Sequence, residues 1–153
     1  MPKFTVETGE ALITEFLPAW KAGFASNNHA KTCAHLFSEK IMMDWSDGIK
    51  GEKTKAEFFN HIASTWGLLA SNFLYKPNFI FDTTNSKVIT FGHLVLNIDG
   101  KMGIPNLVEV NFCNIIRYDD AGKINSWTAH WDNSSAPLLE ALGKVSAAFA
   151  AAK

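Results

Sequence analysis

The stretch IIRYDDAGKINSWTAHWD, residues 115–132, reads as a β-hairpin. Side chains alternate between the two faces of a strand. DDAGK supplies the turn, with Gly122 available for a positive φ. In the second arm, one face carries Trp127, Ala129 and Trp131. The other carries Ile124, Ser126, Thr128, His130 and Asp132. The first arm extends back through NLVEVNFCNIIRY, residues 106–118. One of its faces holds Val108, Val110, Phe112, Asn114, Ile116 and Tyr118; the other holds Leu107, Glu109, Asn111, Cys113, Ile115 and Arg117. The first set is apolar apart from Asn114 and the terminal tyrosine, so it is assigned inward. The same register turns Trp127, Ala129 and Trp131 toward a dry hollow and leaves His130 and Asp132 on the far face or at the rim.

Working outward, KVITFGHLVLNI (87–98) reads as a long strand with two apolar faces. NFLYKPNFIFD (72–82) is a strand that Pro77 confines to an edge or a bulge. KIMMDW (40–45) is a short strand, and SDGIKGEK (46–53) a loop. The rest is helical. TGEALITEFLPAWKAGFAS (8–26) offers Thr8 as N-cap, with a kink or early break expected at Pro18. NNHAKTCAHLFSE (27–39) follows a polar turn. TKAEFFNHIASTWGLLA (54–70) opens with Thr54 and Glu57 at capping-box spacing, and APLLEALGKVSAAFAAAK (136–153) closes the chain as a helix. The order predicts a single α+β domain over residues 1–153: a cone-shaped, curved antiparallel sheet wrapped around the N-terminal helices, plus a C-terminal helix. A small ligand fits the space between sheet and helices.

Composition narrows the function classes. Hydrophobic residues make up 47% of the 153 and charged residues 19%, as expected for one globular domain. Twelve Phe and five Trp provide large apolar surfaces to pack or present. Net charge is −1 with no basic run, which argues against a nucleic-acid partner. The two cysteines, Cys33 and Cys113, lack metal-ligand spacing and suit a reducing compartment. No apolar segment has membrane-spanning length, and the first ten residues lack the apolar core of a signal peptide. These features predict a soluble, cytoplasmic protein without a membrane partner. The two apolar faces of 87–98 predict a homodimer. No phosphate-binding glycine loop, nucleophile motif or spaced metal-ligand set is found, so neither cofactor nor metal is expected.

Two stretches resemble the NTF2-like superfamily and, within it, the SnoaL-like group. The first is IMMDWSDGIKGEKTKAEFF: a strand ending in Trp-x-Asp, a Gly-bearing loop, then a helix. The second is IIRYDDAGKINSWTAHWD followed by LLEALG. The resemblance covers nearly the whole chain and implies the α+β cone. It does not select a function, because the fold hosts isomerases, cyclases, dehydratases, epoxide hydrolases and non-catalytic domains. It places Asn114 where ketosteroid isomerases carry an oxyanion-hole acid, and the general base near Trp45 or Asp47. It also implies that dehydratase-like members use an Asp–His pair, which here would be Asp47 and His93. Ala129 stands where limonene-epoxide-hydrolase-like members carry an acid, so that chemistry is not expected.

Two functional readings follow. In the first, a cofactor-free isomerase, cyclase or dehydratase moves protons on a small apolar molecule. Asp47 is the base, its pKa raised by desolvation among Trp and Phe. His93 assists across the cavity, and Asn114 stabilises an oxyanion. Trp45, Phe112, Tyr118, Trp127 and Trp131 bind the substrate. Asp44, Asp132 and His130 are weaker candidates: a one-residue slip exchanges Asp44 with Asp47, Asp132 is where polyketide-cyclase-like members place a late acid, and the face taken by His93 is open. In the second reading, the same hollow holds a small hydrophobic ligand without chemistry, or the fold serves dimerisation. Convergence of Asp47, His93 and Asn114 on one space would favour catalysis; dispersal would favour binding.

Overall fold

The computed structural model describes residues 4–69, 72–97 and 107–132, together with Glu140, Gly143 and Ala147. The chain runs α1 (Val6–Ser26), α2 (His29–Cys33), a 3₁₀ turn (Ala34–Leu36), β1 (Phe37–Trp45), β2 (Lys50–Thr54), α3 (Lys55–Ser64), α4 (Trp66–Leu69), β3 (Asn72–Asp82), β4 (Lys87–Asn97), β5 (Leu107–Tyr118) and β6 (Ile124–Trp131). Glu140, Gly143 and Ala147 are helical; the remainder of the expected 136–153 helix lies outside the described residues. Among the described residues, no helix is long and apolar enough to cross a membrane.

The six strands form one curved, open sheet in the order β2-β1-β6-β5-β4-β3. It is mixed rather than wholly antiparallel, because β1 lies parallel to β6. That pairing closes the fold: a strand from the helical half of the sequence caps the edge of the hairpin from the other half. β2 was expected to be loop. Gly48 (φ 101°) and Gly51 (φ 84°) take conformations that let the chain reverse after Trp45, and Lys50–Thr54 then pairs antiparallel with β1.

The helix termini follow local chemistry. Thr54 and Glu57 form the expected capping box on α3. At α1 the cap is Thr5 rather than Thr8: Thr8 sits three residues in, and the two threonines close the box between them. Pro18 does not break α1, which is continuous across it. Ile13, Phe16, Trp20 and Phe24 are all buried along this helix, and their packing outweighs the hydrogen bond that proline removes. The helix expected over 54–70 is interrupted at Thr65, which leaves helical geometry (φ −127°, ψ −91°) while its hydroxyl donates to the His61 carbonyl at 2.7 Å. This break frees Trp66 to turn into the interior.

The core lies between α1, α3 and the concave face of the sheet. Strand parity is as expected for β5, with Val110, Asn114, Ile116 and Tyr118 buried. On β6, Trp127 and Ala129 are buried, but so is Ile124, three residues before Trp127. A register shift between Arg117 and Tyr118 brings Ile124 opposite Tyr118 and absorbs the extra residue as a bulge, which resets the alternation. Behind Trp20, the His29 ring is buried with its centroid 4.5 Å from that of Trp20 and 4.6 Å from that of Phe24. Burial pushes its pKa down to about 4, so it packs as a neutral ring. Only glycine fits at position 23, since a Cβ there would run into the imidazole.

Candidate active site

A cavity of about 100 Å³ lies between α1 and the concave sheet face. Phe16, Trp20 and Phe24 of α1 form one wall. Trp45, Trp127, Ala129 and Trp131 form another, and Trp66 closes one side. Thr90 and Asn114 bring a hydroxyl and an amide into this otherwise aromatic and aliphatic lining. The indoles pack edge to face, with Trp45 and Trp127 centroids 5.0 Å apart and Trp66 and Trp131 5.1 Å apart.

Asn114 is where strand parity put it. It is buried and lines the cavity. Its carbonyl accepts the Trp127 indole N–H at 3.0 Å, and its amide donates to Thr90 Oγ1 at 3.3 Å. These bonds fix the direction of the amide: oxygen toward Trp127, nitrogen toward Thr90.

Asp47 is held differently from the expectation. Its side chain is 8% exposed, yet it is not part of the cavity lining. Oδ2 accepts from Trp66 Nε1 at 3.2 Å and pairs with His61 Nε2 at 2.8 Å; Oδ1 accepts the Ile49 N–H at 3.2 Å. Burial alone would raise its pKa. The His61 hydrogen bond and charge, with the Ile49 and Trp66 N–H groups, outweigh that and hold it below the usual 3.8. The carboxylate is therefore an ionised anchor. The expected raised pKa is corrected: the pocket wall beside Asp47 supplies donors as well as apolar surface.

His93 is not its partner. It lies on the outer face of β4, exposed, with Nδ1 3.1 Å from Asn111 Oδ1 and Nε2 3.3 Å from Glu109 Oε2. The partner is His61 of α3, which sequence reading passed over. The sequence marks the helix opening at Thr54 and Glu57, with His61 one residue before the buried Ile62, but not that α3 packs against the loop bearing Asp47.

The remaining candidates separate cleanly. Trp45, Phe112, Trp127 and Trp131 line the cavity. Tyr118 is buried but outside the lining, stacked on Phe4 with centroids 5.8 Å apart. Asp44 faces outward and pairs with Lys50 at 3.4 Å. His130 is exposed, and Asp132 is exposed at the end of β6, its N–H donating to the Asn111 carbonyl. Asp47, His93 and Asn114 therefore occupy three separate places: behind the indole wall, on the outer face and inside the cavity. Among the described residues, no group of three or more His, Cys, Asp or Glu side chains is placed to hold a metal ion.

No family model matches the chain, and no curated protein matches its sequence. Solved structures do match its shape. One is a protein of Bacillus subtilis provisionally assigned as an isomerase, at 17% identity and TM-score 0.67, covering 94% of this chain and 97% of that one. Another is a provisionally assigned SnoaL-like polyketide cyclase of Jannaschia sp. CCS1, at 13% identity and TM-score 0.68, covering 93% and 95%. A third is an NTF2-like protein of Exiguobacterium sp. 255-15, at 13% identity and TM-score 0.60, covering 80% and 98%. At these identities the likeness is one of fold. The chain has the NTF2-like α+β cone, the fold it shares with these solved structures.

Proposed function

We propose that this protein binds a small, predominantly apolar molecule in the cavity beneath α1. One observation supports this above the others: the lining described is aromatic and aliphatic, with the Thr90 hydroxyl and the Asn114 amide set into it. Such a surface gains by excluding water and orients a guest through few polar contacts. Ala129 tests the reading, because it is buried on the cavity wall between Trp127 and Trp131. Ala129→Leu adds three carbons to a space of about 100 Å³. Quenching of tryptophan fluorescence by single-ring probes is expected in the parent protein. In Ala129→Leu the affinity should fall more than tenfold, about 1.4 kcal/mol or more. Equal affinities would place binding elsewhere.

A second reading, a cofactor-free isomerase, cyclase or dehydratase, is favoured by the Asp47–His61 pair. Trp66 both lines the cavity and donates to Asp47, so the pair lies directly behind the wall. In this reading Asp47 orients the His61 ring, His61 carries the proton, and Asn114 supplies a donor to substrate oxygen.

We also propose that two copies pair through the outer sheet face. Ile80, Ile89 and Ile115 are side by side across β3, β4 and β5, with Phe91 next to Cys113 in the same layer. Ile80 is 52% exposed and Phe91 41%, as large apolar side chains on one face. Sedimentation velocity at micromolar concentration should give the mass of a dimer, and Phe91→Asp should return the monomer. A monomer in the parent protein would remove the proposal.

A further inference from the structure

We infer that His29 is an acid-operated release for the cavity: its neutral ring braces the wall residues Trp20 and Phe24, and protonation drives the ring from its socket and lets the guest go. The inference rests on the binding reading above and adds its regulation. His29 is 2% exposed. Its ring centroid lies 4.5 Å from that of Trp20 and 4.6 Å from that of Phe24, and both of those side chains line the cavity. Gly23 completes the socket from α1. Neither ring nitrogen has a hydrogen-bond partner among the described residues. Buried polar groups are nearly always paired, so this ring is held by packing alone.

A protonated ring finds no counter-charge in this socket, because the charged and titratable groups of the surrounding elements are engaged elsewhere. On α1, Glu15 pairs with His35 of the 3₁₀ turn, and Lys21 is exposed. On α2, Lys31 is exposed, and burial pushes the Cys33 thiol up to about 11. On α3, Lys55 pairs with Glu39, Glu57 closes the helix cap with Thr54, and His61 pairs with Asp47. Burial therefore lowers the His29 pKa from the ordinary 6.5, against a weaker upward pull from the Trp20 carbonyl. A ring ejected into water regains the ordinary value. The closed state is thus fully favoured above about pH 6.5 and loses ground as pH falls from there toward about 4. α2 is five residues long and hangs from α1 by Asn27, in the left-handed conformation (φ 47°), and Asn28, so it can swing without unwinding α1. By linkage, a guest that needs the braced wall also opposes protonation of the ring.

The probe is fluorobenzene, whose own charge does not change with pH. Its affinity for the whole protein is measured by fluorine NMR from neutral pH into acid, and the His29 ring signals are followed in the same samples. His29 should titrate at least about one pH unit below its ordinary value, and saturating fluorobenzene should move that midpoint further toward acid. Affinity should fall about twofold at the midpoint of the free protein and about tenfold one unit below it. His29→Met keeps an apolar side chain of similar size without the titrating ring. Its affinity should stay level down to about pH 4, above the range in which Asp47 takes up its proton. If that variant does not fold, the movement of the parent's midpoint by the probe decides alone. A midpoint at the ordinary value, or a variant that weakens in step with the parent, would overturn the release. Binding that holds level through the His29 midpoint would also overturn it and leave the binding reading standing. No fluorobenzene binding at neutral pH would overturn both.

Discussion

Trp127→Ala is expected to destabilise the protein by about 4–6 kcal/mol, enough to unfold a domain of ordinary stability. The indole is 5% exposed and stands at the centre of a ring cluster. Its centroid lies 5.0 Å from Trp45, 5.1 Å from Trp20, 5.5 Å from Phe16, 6.1 Å from Phe58 and 6.2 Å from Phe37. Those neighbours come from α1, β1 and α3, so the vacated volume would open where three elements meet. None can close it without moving a backbone. Truncating a buried Trp costs about 3–5 kcal/mol through lost contacts and the cavity left behind. A further cost comes from Asn114, whose carbonyl would lose the donor that satisfies it. Trp127→Phe keeps a six-membered ring but loses the N–H together with the pyrrole half of the indole, and should cost less than the alanine variant, about 1–3 kcal/mol. Urea denaturation followed by far-ultraviolet circular dichroism measures both. A Trp127→Ala midpoint within 1 kcal/mol of the parent would show that the ring cluster is not the centre of the core.

The placement of Trp127 was legible because alternation is a strong signal wherever one strand face is dry. The same reasoning put Asn114, Phe112, Ala129 and Trp131 on one side correctly. It failed at Ile124, where a bulge shifts the phase by one residue and nothing in the local residue types marks the change. The parallel junction of β1 with β6 was hidden for another reason: it joins segments more than 80 residues apart, and hydrophobic pattern carries no information on pairing partners. Pro18 misled because intrinsic helix propensity is weaker than the burial of Phe16 and Trp20 on either side of it. At the site, composition suggested a desolvated acid at position 47 and missed its donors. Trp66 reaches Asp47 only because the helix breaks at Thr65, and His61 only because α3 packs against the hairpin loop. Tertiary approach set the charge state, and a single sequence does not display it.

Asp47 therefore supports a second large prediction, in which stability depends on pH. Its folded pKa lies below the ordinary 3.8. A depressed carboxylate contributes stability that is present above the unfolded pKa and is lost as pH falls through the folded value. The parent protein should thus lose stability progressively on acidification below about pH 4. Asp47→Asn should lack that component. At pH 5 the variant should be less stable by about 1–3 kcal/mol, the range for hydrogen bonds to a charged group. The gap should then narrow toward pH 2. Asparagine is a poor replacement here because the site demands acceptors on both oxygens: Ile49 N–H donates to Oδ1 and Trp66 N–H to Oδ2. Whichever way the amide is turned, its NH₂ meets one of those donors and leaves it unpaired. Urea midpoints for both proteins at several pH values between 2 and 5 decide the matter. Parallel curves would mean that the carboxylate is not depressed by its donors. A gap that closes in acid would identify Asp47 as the ionised anchor holding His61 in place and tying Trp66 to the wall, which is the state that proton transfer by His61 requires.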